Sequence, residues 1–345
     1  MKVTVIHQTD LFHHHADPDD HWDLACQYAL AYLGKTELKG ILLDFPPRAD
    51  FYGNDCGDPA AAAISQMNAI TGLAVPFAVG VPCRIHSREE AIEIVSRKPQ
   101  NGGIAMLIRL LEEAQEPVVL HIVGSSRDVA IAGFARPELF REKCRAIYLN
   151  AGSGCSEEEL EYNVELDPFS YQSVFQLPCP IYWMPCFHSL KGVKDGRMCV
   201  GEYGTYYRFR QKEILEKVSP SVKKYFEYAL GRVTDGRWLS YLSQPVNPFI
   251  LEAHGNLYRN MWCTGGFLHA AGMTVTKEGE IVPLTSGQKG VFEFIPVNVT
   301  CDEKGRTAWN RTEGKTNRYL FHVVDEQAYQ EAMTRAMGSL LKQLP

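Results

Sequence analysis

The sequence predicts an α/β fold: a mostly parallel sheet with helices packed on both of its faces. Short apolar segments recur along the first 185 of the 345 residues, and helical periodicities separate them. The composition, with 45% hydrophobic and 22% charged residues, is that of an ordinary globular protein. Strands that alternate with helices form parallel sheets, because each crossover returns the chain to the same edge.

Each predicted strand is a short apolar run bounded by polar or turn-forming residues. The first, Val3 to Ile6, is rich in β-branched side chains, and the second, Leu38 to Asp44, has the continuous apolar character of a strand buried on both faces. The remaining strands share these features and are expected at residues 76–80, 117–123, 145–150 and 180–186. Their carboxyl ends should form one edge of the sheet.

The predicted helices lie between these strands. Residues 22–33 place apolar side chains at helical spacing and stop at Gly34, and residues 102–115 show a second periodicity of this kind. The other helices are marked by start signals, namely Asp58 before Pro59, Ser87 with Glu90, Ser125 or Ser126, and Asp167 before Pro168.

Beyond Lys191 the pattern changes. A charged helical stretch over residues 210–232 precedes connections rich in glycine and tryptophan, and the sequence has no low-complexity linker or internal repeat. We therefore expect one domain over residues 1–345, with a divergent C-terminal part from about residue 190 that packs across the ends of the sheet. Two domains are the alternative.

The charge balance restricts the classes of partner. The chain carries 35 Lys and Arg against 41 Asp and Glu, a formal net charge of -6, and this balance does not attract phosphate backbones. No run approaches the roughly 20 apolar residues of a membrane-spanning helix. We expect a small-molecule partner, no nucleic acid and no membrane.

The N-terminus and the cysteines favour a cytoplasmic protein. The opening MKVTVIHQTD is too short an apolar run for a signal peptide, and the ten cysteines show no CxxC pair and no zinc-like spacing. We interpret them as reduced, mostly packed thiols. The oligomeric state is left open, a homo-oligomer included.

The loop after the first strand has an unusual density of acids. Between His7 and Asp23 it carries five carboxylates and three consecutive histidines, namely Asp10, Asp17, Asp19, Asp20, Asp23, His13, His14 and His15. Like charges this close repel each other unless a cation neutralises them, and carboxylate oxygens suit Ca²⁺ or Mg²⁺. Loops after parallel strands also bind ligands in α/β sheets. A divalent-metal site is one interpretation; helix capping by the acids, with solvated histidines, is the other.

Four segments in matching order carry a family resemblance. They are VTVI with QTD and DPDDHWDLACQYALA, HIVGSSRDVAIAG, AIYLNAGS and EYNVELDP. Over about the first 185 residues they resemble the inosine-uridine nucleoside hydrolase family, and most closely its divergent, nucleoside-hydrolase-like members with a PDD sequence. The resemblance implies the nucleoside hydrolase fold and hydrolysis of the N-glycosidic bond of a ribonucleoside or a related glycoside.

The resemblance also implies roles for individual residues. Asp19 matches the acid that activates the attacking water. The implied cofactor is a divalent cation, Ca²⁺ in the first place, and its implied ligands are Asp10, Asp20 and the backbone carbonyl of Arg127. The residues implied to contact the substrate are Glu161 and Asn163 at the ribose, Asn150 near a further sugar contact, and His269, which matches the histidine of the family's late HDP segment.

The sequence departs from the family pattern at three places. Gln8 stands where the family has its first acid, and Ala270 stands where the metal-binding Asp of the late segment is expected. The GN turn after the second strand is replaced by DFPPRADFYGND. With Ala270 in the late segment, one carboxylate ligand of the implied calcium site is missing.

Two further functions therefore stay open beside the hydrolase. One is a sugar-binding or nucleoside-binding protein that keeps the fold and has lost hydrolysis. The other is a phosphatase with Asp10 as nucleophile, which is disfavoured because TDL lacks a second acid close by. For an aromatic leaving group the sequence offers Trp22, Trp183, Tyr206, Tyr207, Trp262 and His269, most of which are expected in the core.

Overall fold

A nine-stranded sheet forms the centre of the molecule. The computed structural model describes residues 2–11, 18–44, 61–97, 102–194, 198–231, 233 and 235–345. The strands in these ranges are β1 (Val3–Thr9), β2 (Thr36–Leu43), β3 (Phe77–Val79), β4 (Val118–Ile122), β5 (Cys144–Asn150), β6 (Ile181–Met184), β7 (Tyr207–Arg210), β8 (Tyr258–Met261), β9 (Met273–Val275), β10 (Ile281–Pro283), β11 (Phe292–Cys301), β12 (Thr307–Arg311) and β13 (Arg318–Val323). The central sheet has the order β12-β11-β13-β6-β5-β4-β1-β2-β3.

Helices cover both faces of the sheet. Those of the described ranges are α1 (Pro18–Tyr32), α2 (Ala61–Thr71), α3 (Arg88–Ser96), α4 (Gly102–Glu113), α5 (Arg127–Ala135), α6 (Pro137–Lys143), α7 (Tyr162–Leu166), α8 (Pro168–Val174), α9 (Leu190–Lys194), α10 (Lys212–Leu215), α11 (Pro220–Leu230), α12 (Trp238–Tyr241), α13 (Pro248–Gly255), α14 (Thr264–Ala270) and α15 (Glu326–Leu341). None of these helices is both long and apolar enough to cross a membrane.

The predicted fold class is confirmed. Strands β1 to β6 pair in parallel, and β13 joins them in parallel beside β6, while β11 and β12 are antiparallel. One core packs Trp22 of α1 and Phe267 of α14 against the first face, and a second packs Leu107 of α4 and Ile131 of α5 against the other. Two apolar cores are what a sheet needs when its strands are buried on both sides.

The C-terminal part differs from the expectation. It does not simply pack across the ends of the sheet, since β11, β12 and β13 extend the sheet by three strands beyond β6. The charged stretch over residues 210–232 is also not one helix. It divides into α10 and α11 because Ser219 caps a new helix whose first residue is Pro220, and proline cannot continue a helix that is already running.

Local start signals were largely correct. The Ser87 side chain accepts a hydrogen bond from the Glu90 N–H at 3.0 Å, and Asp167 accepts one from the Ser170 N–H at 2.9 Å. Ser126 is the N-cap residue of α5, as one of the two expected serines, but its side chain makes no capping hydrogen bond and Ser125 is engaged with Asp44. The predicted cap at Asp58 lies outside the described residues.

Candidate active site

The carboxyl ends of the central parallel strands bring polar side chains together at one edge of the sheet. Asp10 follows β1, Asp44 follows β2, Ser125 comes three residues after β4, and Asn150 is the last residue of β5. All four are buried. Buried polar groups at this edge of an α/β sheet are the expected setting of a ligand site.

Asp10 and Asp20 form the centre of an acid cluster. The Asp10 backbone N–H donates to Asp20 Oδ2 at 2.9 Å, and the Thr9 hydroxyl donates to the same oxygen. Both carboxylate oxygens of Asp10 are buried and accept no hydrogen bond from a donor group in the described part of the chain, and the Asp20 carboxyl group is their neighbour. Burial and the charges of Asp20 and Asp44 raise the pKa of Asp10 well above its ordinary value. A buried carboxylate in this state is either protonated or neutralised by a cation.

Asp19, the predicted base, lies half-buried in the first turn of α1, beside Asp20. Burial, with the charge of Asp19, raises the pKa of Asp20 to about 7. Adjacent residues on a helix point about 100° apart, so the two carboxylates can serve different atoms of one site. Asp17 and the three histidines at 13–15 fall outside the described residues.

Asp23 is a further acid of this cluster, one turn along α1. It is fully buried, and burial together with the charge of Asp20 raises its pKa well above the ordinary value. The sequence already shows that Asp23 comes three residues after Asp20, a spacing that makes the two neighbours on one face of a helix. In the sequence Asp23 is one of five acids near the first loop, and the family resemblance implies no role for it.

Asp44 was not among the predicted site residues. It accepts hydrogen bonds from the Ser125 N–H at 2.6 Å and from the Ser125 hydroxyl at 2.8 Å. Burial raises the pKa of Asp44, against the opposing effect of the Arg127 guanidinium. The available signal was its place at the carboxyl end of the strand beside β1.

Arg127 begins α5 and points its side chain into this network. Its Nε donates to the Ser125 hydroxyl oxygen at 2.9 Å, and only 6% of the residue is exposed. The resemblance implied only a backbone carbonyl role at this position. The structure shows that the side chain also places a buried positive charge next to the acids.

Gly124 lets two of the acids pack directly against the loop after β4. A Cβ at this position would lie 2.9 Å from Asp10 Cγ and 2.9 Å from Asp44 Oδ2. Both distances are below any normal contact of a Cβ with a heavy atom. A glycine is therefore required here for Asp10 and Asp44 to approach the loop after β4.

On the other side of the site, Glu161 caps α7 and holds the loop after β5. Its carboxylate accepts from the Gly152 N–H at 2.9 Å and from the Asn163 N–H at 3.0 Å. Burial raises the pKa of Glu161 to about 7 in spite of these hydrogen bonds. The Asn163 amide nitrogen donates to Val123 O at 2.9 Å and to Asn150 O at 3.3 Å, so its Oδ1 is the atom it has left for a ligand.

Asn150 is oriented by protein groups on both ends of its amide. Its Nδ2 donates to Met184 O at 2.8 Å and to the Thr205 hydroxyl at 3.0 Å. The thiols of Cys263 and Cys186 lie 3.0 and 3.8 Å from its Oδ1. The structure thus places Asn150 at the site, but inside a network of protein partners.

His269 and Ala270 are not brought to the acids. They form the last turn of α14, where His269 Nδ1 is hydrogen-bonded to the Tyr148 hydroxyl at 2.8 Å and burial lowers the pKa of His269 to about 4. The other end of α14 faces the site. Burial raises the pKa of Cys263 at this end, and the nearby charges of Asp23 and Asp20 raise it further. Six residues of helix, about 9 Å, separate Cys263 from His269.

Three aromatic rings pack against each other beside Asn150. The ring centroids of Phe187, Tyr206 and Trp262 lie 5.7 to 5.9 Å apart. Phe187 and Trp262 are half-buried, and the Trp262 indole nitrogen has no acceptor among the described residues. Tyr206 is buried, as are the candidates Trp22, Trp183 and Tyr207, and Trp22 stacks on Phe226 with the ring centroids 4.0 Å apart.

The donor set at Asp10 and Asp20 fits a hard divalent cation. The oxygens of Asp10 accept no hydrogen bond from a donor in the described part of the chain, Gly124 lets Asp10 and Asp44 approach the same loop, and the surrounding carboxylates concentrate negative charge. Within the described ranges, no group of three or more His, Cys, Asp or Glu side chains is already arranged to hold a metal ion. The fit therefore rests on the chemistry of the donors, with Asp10 and Asp20 as the residues that would hold the ion.

Comparison of the sequence with known proteins gives a partial match. No protein-family model matches the chain. It is 31% identical over 86 residues to the pyrimidine-specific ribonucleoside hydrolase RihA of Klebsiella pneumoniae (strain 342), and 31% identical over 87 residues to RihA of Enterobacter sp. (strain 638). Each match covers 24% of this chain and 28% of the relative, so the chain spans about a quarter of the length of the curated relatives it matches.

Comparison of the structures covers nearly the whole chain. The inosine-uridine preferring nucleoside hydrolase of Bacillus anthracis matches with a TM-score of 0.51 and 16% identity, over 98% of this chain and 99% of that one. The purine-preferring ribonucleoside hydrolase of Gardnerella vaginalis matches with a TM-score of 0.56 and 13% identity, over 98% and 99%. The effector protein XOO4466 matches at 0.55 and 13%, over 99% and 94%. The chain therefore has the nucleoside hydrolase fold over almost its full length.

Proposed function

We propose that this protein hydrolyses the N-glycosidic bond of a ribonucleoside or a related glycoside with the help of a divalent cation. The observation that carries the proposal is the acid cluster after β1, where Asp10 is buried beside Asp19 and Asp20 and its two oxygens have no donor among the described residues. A cluster of this kind costs folding free energy unless a ligand compensates it. The nucleoside hydrolase fold and the short match to ribonucleoside hydrolases support the chemistry.

The proposed reaction passes through an oxocarbenium-like sugar, which needs a water on one face and negative charge nearby. Asp19 is the proposed general base, because it lies at the open first turn of α1 and can take a proton from the attacking water. Asp10 and Asp20 are the proposed holders of the cation, with Ca²⁺ as the first candidate. When bound, a divalent cation supplies positive charge that neutralises these carboxylates and acidifies water in the site.

Sugar binding is assigned to the loop after β5. Glu161 and Asn163 fix this loop through the Gly152 N–H and the carbonyls of Val123 and Asn150. Asn163 Oδ1 can accept from a sugar hydroxyl, and the Glu161 carboxylate lies next to it. A contact that strengthens as the sugar flattens lowers the barrier, whereas a contact equally strong in the ground state improves only binding.

The test uses the purified protein with inosine, uridine and nitrophenyl riboside, in the presence of Ca²⁺ and after chelation. We expect turnover of at least one substrate, with a loss of rate on chelation that added Ca²⁺ restores. A matched pair of variants, Asp19→Asn in the site and Glu142→Gln at an exposed position of α6, separates catalysis from general effects. No turnover of any substrate, together with no retained cation, would reject the hydrolase proposal.

A binding protein on the same fold is the second candidate. It is favoured by Gln8, which replaces the family's first acid and whose Oε1 accepts from the Gly124 N–H at 3.1 Å. Calorimetric binding of ribose or a nucleoside without turnover would support this candidate. Measurable hydrolysis would exclude it.

The other predictions from the sequence remain proposals. One domain over residues 1–345, a small-molecule substrate without nucleic-acid or membrane partners, a possible homo-oligomer and a cytoplasmic location are proposed on the sequence arguments alone. Size-exclusion chromatography with light scattering would determine the oligomeric state.

A further inference from the structure

The amide of Asn150 has a fixed orientation. Met184 O can only accept a hydrogen bond, so the atom 2.8 Å from it must be the amide nitrogen, which also donates to Thr205 Oγ1. The amide oxygen then faces the two thiols, Cys263 at 3.0 Å and Cys186 at 3.8 Å. Because the side chain has protein partners at both ends and is 2% exposed, it has little capacity left for a substrate.

The partners of Asn150 come from three separate segments of the chain. Cys186 follows β6, Thr205 precedes β7, and Cys263 is the N-cap of α14. Thr205 is held further, since its hydroxyl and its N–H both donate to Pro185 O, at 3.0 and 2.8 Å. One buried amide therefore joins three connections that are far apart in the sequence.

Each of these partners is the chain neighbour of one ring of the aromatic cluster. Phe187 follows Cys186, Tyr206 follows Thr205, and Trp262 precedes Cys263. The three rings touch one another, and Tyr206 is tied by its hydroxyl to Asn260 Oδ1 at 3.1 Å. The arrangement of the rings thus depends on the positions of the three backbones that Asn150 holds.

We propose that Asn150 is a positioning residue whose side chain fixes the three connections carrying Phe187, Tyr206 and Trp262, and that this aromatic cluster receives the planar leaving group. The inference rests on the proposed function, because it assigns the leaving-group side of the same site. It replaces the direct sugar contact implied for Asn150 by the family resemblance. Ring faces bind flat heterocycles by stacking, and Phe187 and Trp262 are half-buried, so part of each side chain is accessible.

The test measures base binding separately from hydrolysis. Hypoxanthine and uracil are titrated into the full-length protein while tryptophan fluorescence is recorded, and hydrolysis of nitrophenyl riboside is followed in parallel. Asn150→Leu removes the hydrogen bonds at nearly constant volume. Asn68→Leu is the matched control, because the Asn68 amide in α2 is bonded to Val75 O and Val75 N in the following loop and to the Tyr28 hydroxyl of α1.

We expect Asn150→Leu to weaken base binding by about tenfold or more, as the loss of one or two buried hydrogen bonds predicts. Asn68→Leu should bind base like the wild type. If Asn150→Leu does not fold, Cys263→Ala and Thr205→Val, which remove one partner each, should weaken base binding in the same direction.

Two results would overturn the inference. One is that Asn150→Leu, or both partner variants, bind the bases with the affinity of the wild type. The other is that the fluorescence of the wild type responds to neither base. The proposed function is judged by turnover instead. A protein that binds base through this cluster and hydrolyses nothing would leave the positioning role of Asn150 standing while the hydrolase proposal fails.

Discussion

The two sides of the site differ in how their buried polar atoms are satisfied. On the acid side, at the ends of β1 and β2, the two carboxylate oxygens of Asp10 have no donor among the described residues, and burial together with the neighbouring carboxylates raises the pKa of Asp10. On the amide side, at the ends of β5 and β6, Asn150 is bonded at both ends of its amide. Unsatisfied charge indicates a missing ligand, whereas satisfied polarity indicates a structural role. The contrast predicts opposite responses to mutation on the two sides.

The largest expected effect is on catalysis at the acid side. Asp19→Asn should lower kcat by about 100-fold or more, because a general base contributes this much, and the fold should be unchanged. The measurement is steady-state hydrolysis of nitrophenyl riboside, with circular dichroism as the check on folding. Turnover equal to that of the wild type would remove Asp19 as the base.

The next effect is a pH dependence at Glu161. Burial raises its pKa to about 7, so between pH 4.5, its ordinary pKa, and about 7 the folded state binds more protons than the unfolded state. The contribution of Glu161 to the free energy of unfolding is therefore fully present below pH 4.5. It is lost as the pH rises towards 7, and the loss amounts to about 3 kcal/mol at most. Glu161→Gln should flatten this slope in urea unfolding at pH 5, 6, 7 and 8. An unchanged slope in the variant would contradict the assignment.

Asp10→Asn tests the unsatisfied charge directly. In the presence of a chelator the variant should be more stable than the wild type by about 1 to 3 kcal/mol, because a buried carboxylate without a hydrogen-bond donor is removed. With Ca²⁺ this difference in stability between the variant and the wild type should shrink or reverse, because only the wild type is stabilised by the ion. Thermal unfolding with and without Ca²⁺ measures both. Equal destabilisation in both conditions would show that Asp10 is a structural residue.

The smallest effect is expected on the satisfied side. Cys186→Ala removes a buried thiol that contacts Asn150 and Glu161, and it should cost about 1 kcal/mol of stability, the ordinary contribution of one hydrogen bond. Cys83→Ala, at an exposed cysteine, is the matched control and should lie within about 0.5 kcal/mol of the wild type. Urea unfolding at one pH gives both values. A gain in stability for Cys186→Ala would break the contrast between the two sides.

Much of the fold was predictable because its signals are local. The apolar runs that became β1, β2, β4, β5 and β6 and the caps at Ser87 and Asp167 depend on neighbouring residues. The resemblance to nucleoside hydrolases also rested on short segments in order, and the structural matches confirm the fold. The antiparallel strands β11 and β12 were missed, because pairing of this kind is decided between distant residues.

The sequence by itself determined the fold class and the position of the acids in the fold, because Asp10 follows the first strand and Asp19 and Asp20 lie in the first turn of the first helix. Only the tertiary structure decided which atoms remain unsatisfied. Asp44 reaches the cluster through Ser125, Cys263 meets Asn150 across 113 residues of sequence, and His269 lies at the far end of its helix. Hydrogen-bond satisfaction depends on partners brought together by packing, and packing joins residues whose separation along the chain carries no local signal.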